Sequence, residues 1–276
     1  MHEPNDKIMV NRTKLFEVQV KNYRNGIGLL IHIHITHHAG TAFCNRFLRP
    51  HGRVPSQHCM WGNEWPKNDR KQLSRATPWQ PQDVDSAVRL VRSQYHAVSW
   101  EYGHFLPLLR ELRTMDWEHP RIVSVLIVRN PLDRLLAGDA YTNFLYGPLD
   151  NRTTDAWWQL ANDPKYTNNY ALRVLSDSQQ CCQGRNTGDA MFELAKGLVG
   201  RFTFVLDQDC LDDNLVALAD QLGLKRFRRR ARIPPLTARE RVQNETLYQY
   251  LLDRNAQDMK LYWWAKKRSL VKCTND

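Results

Sequence analysis

No stretch of this 276-residue chain approaches the roughly 18 consecutive apolar residues of a membrane span, because its longest apolar run, residues 28–35, is interrupted by His32 and His34. The sequence therefore predicts no transmembrane helix. The first 18 residues, MHEPNDKIMVNRTKLFEV, lack the basic stretch and apolar core of a secretory signal, so the chain is expected to be cytosolic or to stand without its targeting segment. No C-x-x-C pair occurs among the six cysteines, Cys44, Cys59, Cys181, Cys182, Cys210 and Cys273, which argues against a zinc ribbon or a thioredoxin-type site. Their even number permits disulfides and leaves the pairing open. Internal repeats and low-complexity blocks are missing too, which excludes a solenoid. The pattern G-x-x-x-x-G-K-S/T is absent, and with it the lysine and magnesium-binding order of a Walker-type NTPase.

What is present is the composition of an ordinary globular protein, 42% hydrophobic and 25% charged, in a length that suits one large domain or two small ones. Thirty-nine Lys and Arg against 29 Asp and Glu give a formal charge of +10, which favours anionic partners: nucleotides, nucleic acid, sulfated glycans or acidic peptides. Much of the excess lies in residues 225–232, KRFRRRAR, readable either as a polyanion contact or as a solvated loop. Three N-x-S/T triplets, at Asn11, Asn151 and Asn244, are glycosylation acceptors in a secretory lumen and lean towards such a compartment.

Strand-like and helix-like periods alternate along the chain, the grammar of an α/β protein with a central parallel sheet. Residues 28–35, GLLIHIHI, read as a strand covered on both faces, followed by the turn THHAGT and a helix from Ala42. Residues 50–83 are rich in Pro, Trp, Gln and Asn and carry no period. Helical patterns at 87–95 and 106–112 flank a strand at 96–100, and IVSVLIV at 122–128 is the clearest buried strand. Pro131 then opens a helix expected over 132–144, which places Arg129 at a strand's C-terminal edge. A further helix at 189–199, strand at 202–206 and helix at 213–222 with Gly223 as its cap repeat the unit, and one or two amphipathic helices near the C-terminus pack Leu247, Leu251, Met259 and Tyr262. The domain is expected over 27–268, with an N-terminal extension at 1–26 and a tail at 269–276.

Two strand ends point to chemistry. HAGTAF offers backbone N–H groups and the Thr41 hydroxyl at a helix start, an anion site. Arg129, near Arg134, supplies planar guanidinium donors that suit a second phosphate. A ligand with two separated phosphates would use both.

These residues resemble the 3′-phosphoadenosine 5′-phosphosulfate (PAPS)-dependent sulfotransferases, in particular the Golgi carbohydrate branch with the heparan sulfate 2-O- and 6-O-sulfotransferases. HITHHAGTAF at 34–43 is similar to the family's 5′-phosphosulfate loop, H-I-P-K-T-G-G-T-S-F, and VRNPLDRLLAGDAY at 128–141 to its 3′-phosphate motif, R-(D/N)-P-(L/I/V)-x-R-x-x-S-x-(Y/W). VSWEYGHF, NNYALRVL and NAQDMKLYWWA resemble weaker family segments, so the likeness spans roughly residues 27–265. It implies a P-loop-like sulfotransferase fold, PAPS as sulfuryl donor with adenosine 3′,5′-bisphosphate as product, and no metal. The PAPS-binding residues it implies are His37, His38, Ala39, Gly40, Thr41, Ala42, Arg129 and Ala137, and the acceptor is a hydroxyl, on an anionic glycan given the basic surface. Two positions depart from the pattern: His37 stands where the family has its catalytic lysine, and Ala137 where it has serine.

The lysine's task is to stabilise the oxygen from which the sulfuryl group departs, and histidine performs it only when protonated or hydrogen-bonded. Acceptor activation needs a general base, for which His104 is the first candidate, Glu101 the second and His96 the third. Arg173 is a candidate support for the site. The histidines at 32, 34, 37 and 38 are of a metal-ligating type, but no neighbouring carboxylate or cysteine completes a set. Two other readings stay open: a homologue that binds nucleotide or polyanion without turnover, suggested by His37 and Ala137, and a basic nucleic-acid binder, which lacks any recognised module. A membrane span and nucleic acid are not expected, and oligomeric state is left open. The locale is the Golgi or secretory lumen if an N-terminal anchor was removed, and the cytoplasm otherwise.

Overall fold

The structure, a computed structural model, describes residues 3–56, 58–60, 84–102, 112–113, 115–138, 140–176, 188–225, 227 and 237–273. It is an α/β fold around one four-stranded, all-parallel sheet of order β2-β1-β3-β4. Helix α1 (Glu3–Arg24) leads into β1 (Leu29–Ile35), and α2 (Gly40–Phe43) continues through a π-helical turn, Cys44–Leu48, to a last turn at Arg49–His51. Helix α3 (Val84–Gln94), β2 (Ala97–Tyr102) and β3 (Ile122–Val128) follow, then α4 (Pro131–Leu135), α5 (Ala140–Tyr146), α6 (Thr154–Asn162), α7 (Tyr170–Leu175) and α8 (Asp189–Val199). The chain closes with β4 (Phe204–Asp207), α9 (Leu211–Leu222), α10 (Ala238–Arg241), α11 (Glu245–Arg254) and α12 (Ala256–Lys266).

Strands β1 and β3 are buried at every position because helices cover both faces of the sheet. Alternation sorts β1 between two cores. Leu29, Ile31, Ile33 and Ile35 meet residues of α3, α7, α8 and α12, while Leu30 meets α2, α9 and Tyr23 of α1. His32 and His34 share the face of Leu30, where the His32 ring lies 4.5 Å from Phe43. A third cluster, with Leu132, Trp157, Leu160, Leu247 and Leu251, packs α4, α6, α10 and α11 together.

The boundaries expected at 26 and 268 are crossed by packing. Gln19 of α1 donates to the carbonyls of Trp117 and His119 at 3.1 Å, and Val20 and Tyr23 are buried. Past α12, the Leu270 N–H donates to Val205 O and Ser269 Oγ to Asn214 Oδ1, each at 2.9 Å. Two disulfides close loops, Cys44–Cys59 with a sequence separation of 15 and Cys210–Cys273 with one of 63. Cys181 and Cys182, the 106–111 part of an expected helix, and residues 61–83 lie outside the described residues.

One expected element is corrected. The helix read over 132–144 breaks after Leu135: Leu136 leaves helical geometry and Gly138 turns into the left-handed region at φ 63°, so α4 and α5 are separate. Asn130 caps α4, its side chain accepting from the Leu132 N–H at 2.9 Å, with Pro131 at the first helical position.

Candidate functional site

Strand order 2-1-3-4 reverses between β1 and β3, and in open α/β sheets ligands bind outside the carboxyl ends of strands at such a switch point. Both strand-end motifs lie there. Leaving β1, the chain takes left-handed conformations at His37 (φ 68°) and Ala39 (φ 55°), on either side of His38, whose N–H donates to Ile35 O at 2.9 Å. Alternating hand of this kind turns successive N–H groups towards one concavity. Helix α2 begins at Gly40 with Ala39 as its cap, which has no side-chain acceptor, so no side chain caps the first-turn N–H groups.

The loop rests on a column of rings. His34 stacks on His32 at 5.5 Å, and a Cβ added to Gly40 would lie 2.1 Å from His34 Nε2. Glycine is required at 40 by this close approach, not by its dihedral angles. Gly40→Ala is expected to cost about 1–3 kcal/mol in chemical unfolding, as overpacking does. Adding His34→Ala should recover most of that loss. Unchanged stability in Gly40→Ala would contradict the contact.

Arg129 ties the second motif to the first, its Nη1 donating to the His37 carbonyl at 2.7 Å. Between them opens a cleft of about 580 Å³, within the range of small-molecule sites. It is lined by His34, Thr36, His37, Ala39, Gly40, Thr41, Ala42, Arg129 and Ala137, and also by Arg46, His58, Asp133, Leu136, Leu149, Gln208 and Arg241. Arg46 and Arg241 are oriented by carboxylates, Asp212 at 2.7 Å and Asp150 at 2.8 Å. Its charged side chains are the cationic Arg46, Arg129 and Arg241 and the acidic Asp133, whose carboxylate accepts from the Ala238 N–H at 2.7 Å. Burial pushes the Asp133 carboxyl up, against the pull of that hydrogen bond and of Arg129.

Eight of the expected residues were placed in the loop and the second motif, and seven of them line this cleft: His37, Ala39, Gly40, Thr41, Ala42, Arg129 and Ala137. His38 does not. It is buried beneath the loop, with Nδ1 2.9 Å from Ile127 O, so its ring braces the loop against β3. Arg134, placed near Arg129 by the sequence, is buried with its guanidinium 3.5 Å from the Tyr170 ring centroid and Nη1 donating to Tyr166 O. Arg173 is also buried, donating to the carbonyls of Lys165 and Thr167. Both brace α7 from outside the cleft. His96 precedes β2, at the opposite end of the sheet, where Nδ1 lies 2.8 Å from Arg53 O. That end is too far along the strand for a base acting in the cleft. Glu101 lies opposite His34 in the β2–β1 register, and its side chain and His104 lie outside the described residues. Of 225–232, only Lys225 and Phe227 are described; the Lys225 carbonyl bonds His51 Nε2 at 2.9 Å.

Arg46, His58, Gln208 and Arg241 were missed. Gln208 follows β4, so the strand-end rule that found Arg129 signals it, while Arg241 comes from a remote helix that nothing local marks. Among the described residues, one set of three groups brings metal-ligand atoms within 4.8 Å: Asp207, Cys210 and Cys273, whose sulfurs are joined as a disulfide.

The imidazoles under the loop are held neutral. Burial pushes His34 down to about 4, with His37 and His58 adding to the effect, and it holds His32 and His38 well below the ordinary histidine range. The unfolded chain then binds more protons than the folded one below about pH 6.5. Stability is complete above that pH and falls as pH drops from about 6.5 towards 4, where His34 alone accounts for about 3 kcal/mol. His34→Gln should flatten the pH dependence of urea unfolding in that window. An unaltered slope would show that His34 titrates alike in both states.

No protein-family model matches this sequence, and no curated protein matches it at a significant level.

Proposed function

We propose that the chain is a PAPS-dependent sulfotransferase that moves the sulfuryl group of PAPS to a hydroxyl of an anionic glycan. The observation that carries the reading is the convergence of both strand-end motifs on one cleft at the β1/β3 switch point, tied by Arg129 to His37 O. The donor set suits such a ligand: main-chain N–H groups and the Thr41 hydroxyl at one end, a guanidinium at the other. In this reading Gly40, Thr41 and Ala42 hold the 5′-phosphosulfate and Arg129 the 3′-phosphate.

In transfer, a bond forms from the acceptor oxygen to sulfur as the sulfur–oxygen bond to the 5′-phosphate breaks. In this reading His37, which lines the cleft, offsets charge on the departing oxygen. The acceptor's proton goes to a general base, for which His104 and Glu101 remain the candidates. Two disulfides and three glycosylation triplets favour a secretory or Golgi lumen for this chemistry.

A second reading is a homologue that binds the nucleotide without turnover. It is favoured by His37 in the lysine position and Ala137 in the serine position. Incubating the protein with ³⁵S-labelled PAPS and a panel of sulfated and unsulfated glycosaminoglycans separates the two. Labelled glycan supports the transferase. Saturable adenosine 3′,5′-bisphosphate binding without any labelled product supports the lapsed enzyme, and absence of both rejects the two together.

A further inference from the structure

A second cavity, of about 260 Å³, lies at the other end of the sheet, where Phe202 and Thr203 lead into β4. Arg12 and Thr13 of α1, Gly200 after α8, Arg201, and Arg268 after α12 border it. We propose that this cavity is an oxyanion site in which Arg12 and Arg268 together hold a phosphate or sulfate group, as a free ion or as the terminal ester of a larger molecule. The proposal is independent of the sulfuryl-transfer reading.

Three arginines meet here and only one is committed. Arg201 donates to the carbonyls of Arg113 at 3.1 Å and Met115 at 2.8 Å, and its Nε lies 3.6 Å from Glu118, the acidic residue of the lining. Arg12 and Arg268 have no hydrogen bond or ion pair from their guanidinium groups among the described residues. Arg12 Nη1 comes within 3.9 Å of a Cβ built on Gly200, and the Arg268 guanidinium lies 5.2 Å from the Trp264 ring centroid. Burial, and after it the like charge of Arg12, weaken the hold of Arg268 on its proton.

The C-terminal end of α8 attracts one cation, which accounts for Arg12. It gives no reason for a second, Arg268, beside the first. The two like charges repel, an anion between them offsets that repulsion, and their planar donors match the oxygens of a tetrahedral oxyanion. Such an anion would bridge the first helix to the chain beyond the last.

The test is a thermal titration with inorganic phosphate, and separately sulfate, against chloride at matched ionic strength. A saturable rise in Tm of about 2–3 °C is expected at about ten times the half-saturating concentration, and it should be lost in Arg12→Gln/Arg268→Gln. The parent and the double variant are each compared with their own Tm in chloride, because the variant loses the α8 terminus and Trp264 contacts together with the repulsion. The difference between parent and double variant isolates this cavity from phosphate bound in the cleft. Phosphoserine in place of phosphate distinguishes the sources: an equal shift assigns an ester group, and a shift with the inorganic ion alone assigns a free anion. A rise no larger than in chloride, or one of equal size in the double variant, overturns the proposal.

Discussion

Arg129→Ala is expected to weaken adenosine 3′,5′-bisphosphate binding by about 2 kcal/mol or more, roughly 30-fold in Kd. Two losses combine. A charge-assisted contact to the 3′-phosphate disappears from a site where Ala137 already withholds the hydroxyl of a serine, and the bond to His37 O that fixes the loop goes with it. The two are separable with adenosine 5′-phosphate, which has no 3′-phosphate. Its affinity should fall by about 1 kcal/mol in the same variant, through the loop alone. Equal affinity of parent and variant for the bisphosphate, measured by calorimetry, would remove Arg129 from the site. Ala137→Ser works in the opposite direction and should tighten bisphosphate by about 1 kcal/mol.

The larger effect on rate belongs to His37. Its carbonyl is held by Arg129 and the residue lines the cleft; in the proposed transfer its imidazole would meet charge that grows as the sulfur–oxygen bond breaks. His37→Ala is expected to lower transfer about 10²-fold while bisphosphate affinity stays within about threefold, because the interaction strengthens only in the transition state. His37→Lys should keep or raise the rate. An ordinary imidazole loses its proton near pH 6.5 and lysine near 10.4, so any alkaline loss of rate caused by His37 should vanish in the lysine variant. Turnover of His37→Ala at the parent rate would take His37 out of the mechanism. His38 could not replace it without leaving its buried place against Ile127.

The legible parts of the fold were those decided locally. Residues 28–35 and 122–128 are β-branched runs that no surface helix would contain, and they became β1 and β3. Pro131 marked the start of α4 through its fixed φ, but Gly138 was read through, because a glycine inside an apolar period is a weaker signal than the period itself. In the site, the two motifs were legible because each is a contiguous strand end. His38 was misplaced because left-handed residues on both sides decide where its side chain points, and residue identity does not announce a positive φ at His37 or Ala39. Arg134 and Arg173 were ambiguous for another reason. Their partners, Tyr166, Tyr170 and the carbonyls of Lys165 and Thr167, arrive only through tertiary packing.

The central claim is that the β1 loop and the β3 terminus form one site for a ligand carrying two phosphates. A crystal structure of the complex with adenosine 3′,5′-bisphosphate tests it most directly. The account predicts the 5′-phosphate within hydrogen-bond distance of the N–H groups of Gly40, Thr41 and Ala42, and the 3′-phosphate on the Arg129 guanidinium. A ligand bound elsewhere, or one that engages the loop with its 3′-phosphate turned away from Arg129, would contradict it.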